Sequence, residues 1–259
     1  MANPGVDGRR VFLKKLLGGT AAASAGVLLV YKQPALAKLL AAEGEEAAEA
    51  QAHQYAFVVD IDRCIGCGNC VTACSTENNV PQGQFRTWVE RYVVTPEGVH
   101  IDSPKGGMEG FPELDETLEK QALNSFFVPK LCNQCEDAPC VQVCPVGATY
   151  RSDDGFVLVD PEHCMACSYC IQACPYGARF MNKETHMADK CTWCYHRVKN
   201  DKLPACVTVC PTHARSFGDL NDSASQVAQV VQSDQWDTLK SDLHTGCQVL
   251  YSGLPREVV

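Results

Sequence analysis

Sixteen of the 17 cysteines in this 259-residue chain fall into four groups of four. The first is Cys64-x2-Cys67-x2-Cys70-x3-Cys74. The second is Cys132-x2-Cys135-x4-Cys140-x3-Cys144-Pro145. The third is Cys164-x2-Cys167-x2-Cys170-x3-Cys174-Pro175, and the fourth Cys191-x2-Cys194-x11-Cys206-x3-Cys210-Pro211. Four thiolates suit either a tetrahedral zinc ion or an iron–sulfur cubane. Zinc sites of this type usually come from two CxxC pairs. Three closely spaced cysteines on one loop can instead wrap a cubane while the intervening amides donate to its sulfurs. The fourth cysteine, expected at the start of a short helix, points away from its own triplet. In two-cluster bacterial ferredoxins it ligates the other cluster and is followed by proline. That proline fixes φ and turns the backbone aside. The groups therefore predict cubane clusters, with a zinc-stabilised, non-redox interaction module as the alternative from another class. Disulfide scaffolds are disfavoured, because they belong to chains of about 80 residues or fewer. Cys194 is followed by Tyr195, so no covalent haem motif is present. Cys247 stands outside the groups and reads as a small buried apolar residue.

The elements that position these cysteines repeat with them. Val143-Cys144-Pro145-Val146-Gly147-Ala148-Thr149-Tyr150 parallels Ala173-Cys174-Pro175-Tyr176-Gly177-Ala178-Arg179-Phe180, and Val209-Cys210-Pro211-Thr212-His213-Ala214-Arg215 is a third copy. Apolar runs at Tyr55–Asp60 and Phe156–Asp160 predict short strands that end in Asp just before a cysteine loop. The unit is strand, cluster loop, short helix. Between groups one and two, Pro81–Phe127 forms an insert with a predicted hairpin, Thr87–Thr95 and Gly98–Ile101, joined at Pro96-Glu97-Gly98. Near the C-terminus, Asp222-Ser223 is expected to cap a helix over Ala224–Val231. Trp88 and Trp236 read as core. Trp193, inside a cluster loop, is expected to shield a cluster from water.

The N-terminus has the three-part plan of an export signal. Gly8-Arg9-Arg10-Val11-Phe12-Leu13-Lys14-Lys15 is the basic start, Leu16–Val30 the apolar middle, and Pro34-Ala35-Leu36-Ala37 the small-residue cleavage site. The paired Arg9 and Arg10 resemble a twin-arginine signal. The apolar run is about 15 residues, short of the roughly 20 that a membrane span needs. Residues 1–37 are therefore expected to be cleaved as a signal peptide, with retention as an anchor the alternative, and 38–54 to form a linker. This route resembles the one that exports folded proteins. It would let thiols be loaded with clusters before they meet an oxidising compartment. The expected location is periplasmic and membrane-associated.

Composition limits the function further. The net charge is −9, and no Lys/Arg cluster stands in the body of the chain, so nucleic acid is not an expected partner. Arg63, Lys130, Lys190, Arg197 and Arg215 stand singly near cysteines. Most are expected to be solvated surface charge, and a few to face a cluster or an acidic partner. His163, His186, His196 and His213 also lie near cysteines and read as ordinary surface or packed histidines. There is no nucleotide-binding glycine fingerprint, P-loop or nucleophile–base motif. The chain should move electrons between partners, not act as an enzyme on its own.

Spacing alone leaves open which groups pair. From Cys64 to Pro211 the chain resembles the four-cluster iron–sulfur subunits of the dimethyl sulfoxide reductase family. That resemblance implies an α+β fold of two interleaved bacterial-type ferredoxin domains, with a hairpin insert and a short C-terminal helical extension. Residues 55–80 and 183–218 would form the outer domain, 81–127 the insert, 128–182 the inner domain and 219–259 the extension. Carried over by position, Cys64, Cys67, Cys70 and Cys210 hold one cluster, and Cys191, Cys194, Cys206 and Cys74 its neighbour. Cys132, Cys135, Cys140 and Cys174 hold the third, and Cys164, Cys167, Cys170 and Cys144 the fourth. No cysteine is replaced, so four [4Fe-4S] clusters are implied. The implied partners are a polytopic quinone-interacting membrane subunit and a redox partner. Phe85–Tyr92, Asp102–Gly107 and Phe126–Lys130 look closest to the periplasmic subunit of the Dsr membrane complex linked to sulfite reduction, where the redox partner is a multihaem cytochrome c. The alternative is the iron–sulfur subunit of a periplasmic molybdopterin oxidoreductase of the tetrathionate, thiosulfate or dimethyl sulfoxide type. Either places the chain in anaerobic respiration and sulfur metabolism.

Overall fold

The structure is a computed structural model that describes residues 53–233 and 235–258. The expected export signal with Arg9 and Arg10, and nearly all of the expected linker, lie outside the described residues.

One rule of pairing runs through the fold. Each strand that follows a group's fourth cysteine is antiparallel to the strand that leads into another group's loop. β2 (Thr87–Thr95) comes after Cys74 and pairs with β4 (Asn124–Leu131), which leads to Cys132. β5 (Thr149–Arg151) follows Cys144 and pairs with β6 (Val157–Val159), which leads to Cys164. β7 (Arg179–Met181) follows Cys174 and pairs with β8 (Ala188–Lys190), which leads to Cys191. The circle closes when β9 (Arg215–Asp219), after Cys210, pairs with β1 (Tyr55–Asp60), which leads to Cys64. Strand hydrogen bonding thus sets every cysteine loop against the end of another.

The predicted hairpin forms, with β3 (Gly98–Asp102) antiparallel to β2 across a turn at Pro96-Glu97. The sequence reading did not foresee β4 as the third strand of that sheet, although Phe126-Phe127-Val128 is an apolar run that could have signalled it. The C-terminal extension also differs from a helical appendage. β10 (Val249–Ser252) adds to β1 in parallel, Phe57 opposite Val249, and makes β1 a central strand. That explains why β1 is buried on both faces. Ala56 and Val58 pack with Val227 and Leu250, while Phe57 and Val59 enter the main core.

The helices are α1 (Asn69–Glu77), α2 (Glu116–Gln121), α3 (Pro139–Gln142), α4 (Tyr169–Gln172), α5 (Tyr195–Val198), α6 (Ala205–Thr208) and α7 (Gln226–Gln232). α7 begins two residues later than predicted. Ser225 Oγ is its cap, accepting from Val227 N, and Asp222 instead closes a turn with Ala224 N. The third cysteine of a group, not the fourth, sits at a helix start: Cys70, Cys140, Cys170 and Cys206 lie second in α1, α3, α4 and α6. In three groups the fourth cysteine comes just past a helix of four residues, because the following proline disfavours helix at the residue before it. Cys74 is followed by Ser75, and α1 continues past it. α1 packs on α6 and α3 on α4. Among the described residues no helix is long and apolar enough to cross a membrane. Trp236 is not core: it is 37% exposed, with its indole N–H on Val231 O at 3.3 Å.

Candidate iron–sulfur centres

Cysteines are themselves part of the core: Cys70, Cys132, Cys191 and Cys206 pack with Phe57, Phe156 and Trp193. Among the described residues, cavities lined by four cysteines each recur. Cys64, Cys67, Cys70 and Cys210 line one of about 330 Å³, its open mouth included. Cys132, Cys135, Cys140 and Cys174 line a second of about 330 Å³, and Cys144, Cys164, Cys167 and Cys170 a third of about 300 Å³. The remaining four, Cys74, Cys191, Cys194 and Cys206, are mutually close and all buried. In every quartet three cysteines of one group meet the fourth of another.

The loops have a common backbone device. The residue before the second cysteine is left-handed in all four: Gly66 (φ 68°), Gln134 (φ 47°), Ala166 (φ 58°) and Trp193 (φ 52°). Three of these are not glycine and carry strain, which is characteristic of functional sites. Successive amides alternating between right- and left-handed conformations form a concave nest of N–H groups that binds anions. Group one needs real glycines. A Cβ on Gly66 would meet the Phe127 ring at 2.5 Å, and one on Gly68 would meet Gly107 O at 2.3 Å. A second left-handed position follows each Cys-Pro: Gly147, Gly177 and His213. His213 therefore stands in a glycine slot of the repeat. His163 and His196 are surface residues paired with Asp160 and Glu77, both at 2.8 Å.

Several amides and side chains already serve sulfur. Trp193 N donates to Cys191 Sγ and Thr149 N to Cys144 Sγ, both at 3.3 Å. Asn78 Nδ2 reaches Cys74 Sγ at 3.4 Å and Cys194 Sγ at 3.8 Å, and Arg86 Nη1 holds its Oδ1 at 3.0 Å. Burial first, and then repulsion from neighbouring cysteines, pushes the Cys74 thiol up to about 12 and Cys191 well above its ordinary value. Burial also raises Cys64 and Cys206 to about 11. As thiols these groups are stable, and as thiolates they need a strongly cationic partner such as iron.

The buried cations complete the electrostatics. Arg179, Lys190 and Arg215 are 5%, 1% and 2% exposed, and among the described residues none pairs with a carboxylate. Lys190 Nζ donates to the carbonyls of Val157 and Cys191. Arg215 lines a thiol cavity, and the Lys190 charge acts on Cys140 while its ammonium holds those backbone carbonyls. Arg63, Lys130 and Arg197 instead pair with Asp60, Glu90 and Glu77. Sequence reasoning missed Asn78, Gln134 and Arg179, although Arg179 and Arg215 occupy matching places in the repeat. Cys247 is half-buried and packs against the small core of Cys135, Ala138, Cys140 and Val157, as expected, and its Sγ also lies 3.0 Å from Tyr176 Oη, a polar contact the sequence reading did not foresee.

Where the loops of groups two and four meet, Trp193 Nε1 donates to Cys132 O at 3.1 Å and Gln134 Nε2 to Cys191 O at 3.0 Å. Donor sets of four thiols, amide nests and carboxylate-free cations together fit anionic iron–sulfur clusters.

Comparison with known proteins agrees. A 4Fe-4S dicluster domain model matches residues 63–148, and another of the same description matches 123–220, so all four groups are covered. The chain is 41% identical over 204 residues to the B subunit of tetrathionate reductase from Salmonella typhimurium, spanning 78% of this chain and 73% of the relative. It is 41% identical over 176 residues to the thiosulfate reductase electron transfer subunit of Salmonella typhi, across 67% of this chain and 80% of the relative. The B component of polysulfide reductase from Wolinella succinogenes is 38% identical over 185 residues, 70% of this chain and 85% of the relative. These matches set the zinc-module alternative aside. Together with the α+β build and the four thiol sites, they show that the protein belongs to the family of 4Fe-4S dicluster iron–sulfur subunits of the tetrathionate, thiosulfate and polysulfide reductase type, an electron-transfer subunit and not a catalytic one.

Proposed function

We propose that this protein holds four [4Fe-4S] clusters in two interleaved ferredoxin domains and relays electrons between a quinone-interacting membrane subunit and a molybdopterin catalytic subunit. The ligand sets are Cys64, Cys67, Cys70 and Cys210; Cys74, Cys191, Cys194 and Cys206; Cys132, Cys135, Cys140 and Cys174; and Cys144, Cys164, Cys167 and Cys170. When bound, each cluster accepts and returns one electron, at a potential tuned by nearby hydrogen bonds and burial. The gradient of burial along these sets carries the reading. All four cysteines of the second set are buried, as are three of the third, whereas Cys67 is exposed and Cys64, Cys144, Cys164, Cys167 and Cys210 are half-buried. The second and third sets meet at Cys191 and Cys132. A line with two interior sites and two ends near the surface is what a relay between two partners requires.

The reductase relatives support the molybdopterin-linked reading over the Dsr complex. The Dsr reading, with a multihaem cytochrome c as redox partner, keeps one support: its three stretches converge on the sheet β3-β2-β4 and the turn Pro104–Gly107 beside it. Arg9 and Arg10 support twin-arginine export to the periplasm, with membrane association through partner subunits or an uncleaved signal. Iron and acid-labile sulfide analysis of the anaerobically purified complex tests the reading. About sixteen irons per chain are expected, four per quartet, with EPR signals that develop on reduction. Zinc in their place, or no signal across a full reductive titration, refutes it. A molybdopterin subunit that co-purifies supports the first reading, and a multihaem cytochrome c the second.

A further inference from the structure

Arg179 and Arg215 occupy one slot of the internal repeat, five residues after Cys174 and Cys210. Each is the first residue of a strand, β7 and β9, so a paired backbone aims its side chain. Arg215 lines the cavity of Cys64, Cys67, Cys70 and Cys210, and its charge also acts on Cys206 of the adjoining quartet. Arg179 lines the cavity of Cys132, Cys135, Cys140 and Cys174, and its charge also acts on Cys170 of the next quartet. Each guanidinium donates to a threonine, Arg215 Nη2 to Thr87 Oγ1 at 2.9 Å and Arg179 Nη1 to Thr149 Oγ1 at 3.2 Å, and each also reaches a cysteine of the adjoining quartet, Arg215 reaching Cys206 and Arg179 reaching Cys170. Arg215 Nη1 and Arg179 Nε and Nη2 are buried with no oxygen acceptor among the described residues, and what stands nearest is cysteine sulfur. A buried charge without a partner is costly, as is a buried donor left unpaired. Two such residues at equivalent positions imply an anion beside each.

We propose that Arg215 and Arg179 are matched counter-cations, one set between the two clusters of each pair, that hold both flanking clusters at raised potential. The charge is permanent, since guanidinium does not deprotonate in proteins. A fixed cation beside two centres that each gain one negative charge on reduction favours the reduced form of both. Matching the two members of a pair from one side chain keeps the step between them close to level. Thr149 fills the same slot after Cys144 and is the hydrogen-bond partner of Arg179. The slot therefore holds one cation per pair, not one per cluster.

This inference rests on the cluster assignment above. Iron content read on the same samples separates failure of the one from failure of the other. The test is an EPR-monitored redox titration of the full chain in its complex, as wild type, R215Q, R179Q, R215K and R179K, with iron and sulfide measured alongside. With about sixteen irons retained, R215Q is expected to move two potentials negative and R179Q the other two. A roughly tenfold fall in the reduced-to-oxidised ratio at fixed ambient potential corresponds to about 59 mV for a one-electron couple. Lysine keeps the charge, so R215K and R179K should stay near wild type. Intact clusters with no shift, shifts in only one cluster per variant, or lysine variants displaced as far as glutamine ones would overturn the proposal. If glutamine variants fail to load iron while lysine variants load it, the need for charge is upheld. If both fail, the role is one of shape and the proposal falls.

Discussion

Trp193 joins the two halves of the site, and its removal gives a graded prediction. It is 2% exposed, and its ring lies 5.9 Å from Phe57, 6.2 Å from Phe156 and 5.6 Å from Phe217. Its backbone N–H serves Cys191 Sγ, and its indole N–H serves Cys132 O in the neighbouring loop. The residue is left-handed, φ 52°, so alanine and phenylalanine would carry similar backbone strain and that contribution cancels between variants. Trp193→Ala opens a cavity among three aromatics and should cost about 3–5 kcal/mol. Trp193→Phe keeps most of the buried ring and loses only the indole donor, for about 1 kcal/mol net. Anaerobic denaturant unfolding reads both from the shift in midpoint. Water admitted by Trp193→Ala solvates the more negative reduced state better, so the potentials of the clusters bound at Cys191 and Cys132 should move positive. Trp193→Phe should move them less. Unchanged redox titrations in Trp193→Ala, with a stability loss below about 1 kcal/mol, would refute the shielding role.

Two further outcomes follow from single residues. Gly68 has φ 76°, and a Cβ there would sit 2.3 Å from Gly107 O, a backbone atom that no rotamer change can move. If the chain holds the four clusters proposed above, Gly68→Ala should therefore lower iron per chain by about a quarter. Gly83→Ala, at φ 78° but with nothing within 4 Å, should cost only the left-handed penalty of about 1–2 kcal/mol and keep its iron. Glu90 accepts from Trp88 Nε1 at 2.7 Å, Tyr92 Oη at 3.0 Å and Lys130 Nζ at 2.7 Å. Burial works to raise its pKa, yet these bonds, led by Lys130, hold it below the usual carboxylate range. A depressed carboxylate adds stability that is fully present above its unfolded value and lost as pH falls through the folded one. Glu90→Gln should thus be the less stable form near neutrality and show a shallower loss of stability below about pH 4.3. Parallel acid limbs in the two proteins would contradict this account.

How much was legible beforehand depended on whether a feature is local. Cysteine spacing marks the thiol loops because a loop must wrap its cluster within a few residues. The Cys-Pro repeats mark the helix ends because proline acts on its immediate neighbour. β1 and the hairpin were visible as apolar runs with a turn between them. The capping of α7 was displaced from Asp222-Ser223 to Ser225, since each of these residues is a plausible cap and only packing on β9 selects one. Trp236 read as core from its type alone, and it lies at the surface.

The order of residues determined the ligand types, their grouping and their repeat, because each of these is a matter of a few adjacent positions. The tertiary structure decided which distant groups meet. It put Cys210 with the first loop and Cys74 with the fourth, through strands paired across more than half the chain. It inserted β10 beside β1 from almost the far end of the chain. It also turned two arginines that look like surface charge into buried cations between thiol sites. Whether a cation is solvated or buried depends on what long-range pairing packs around it, and no local pattern carries that information.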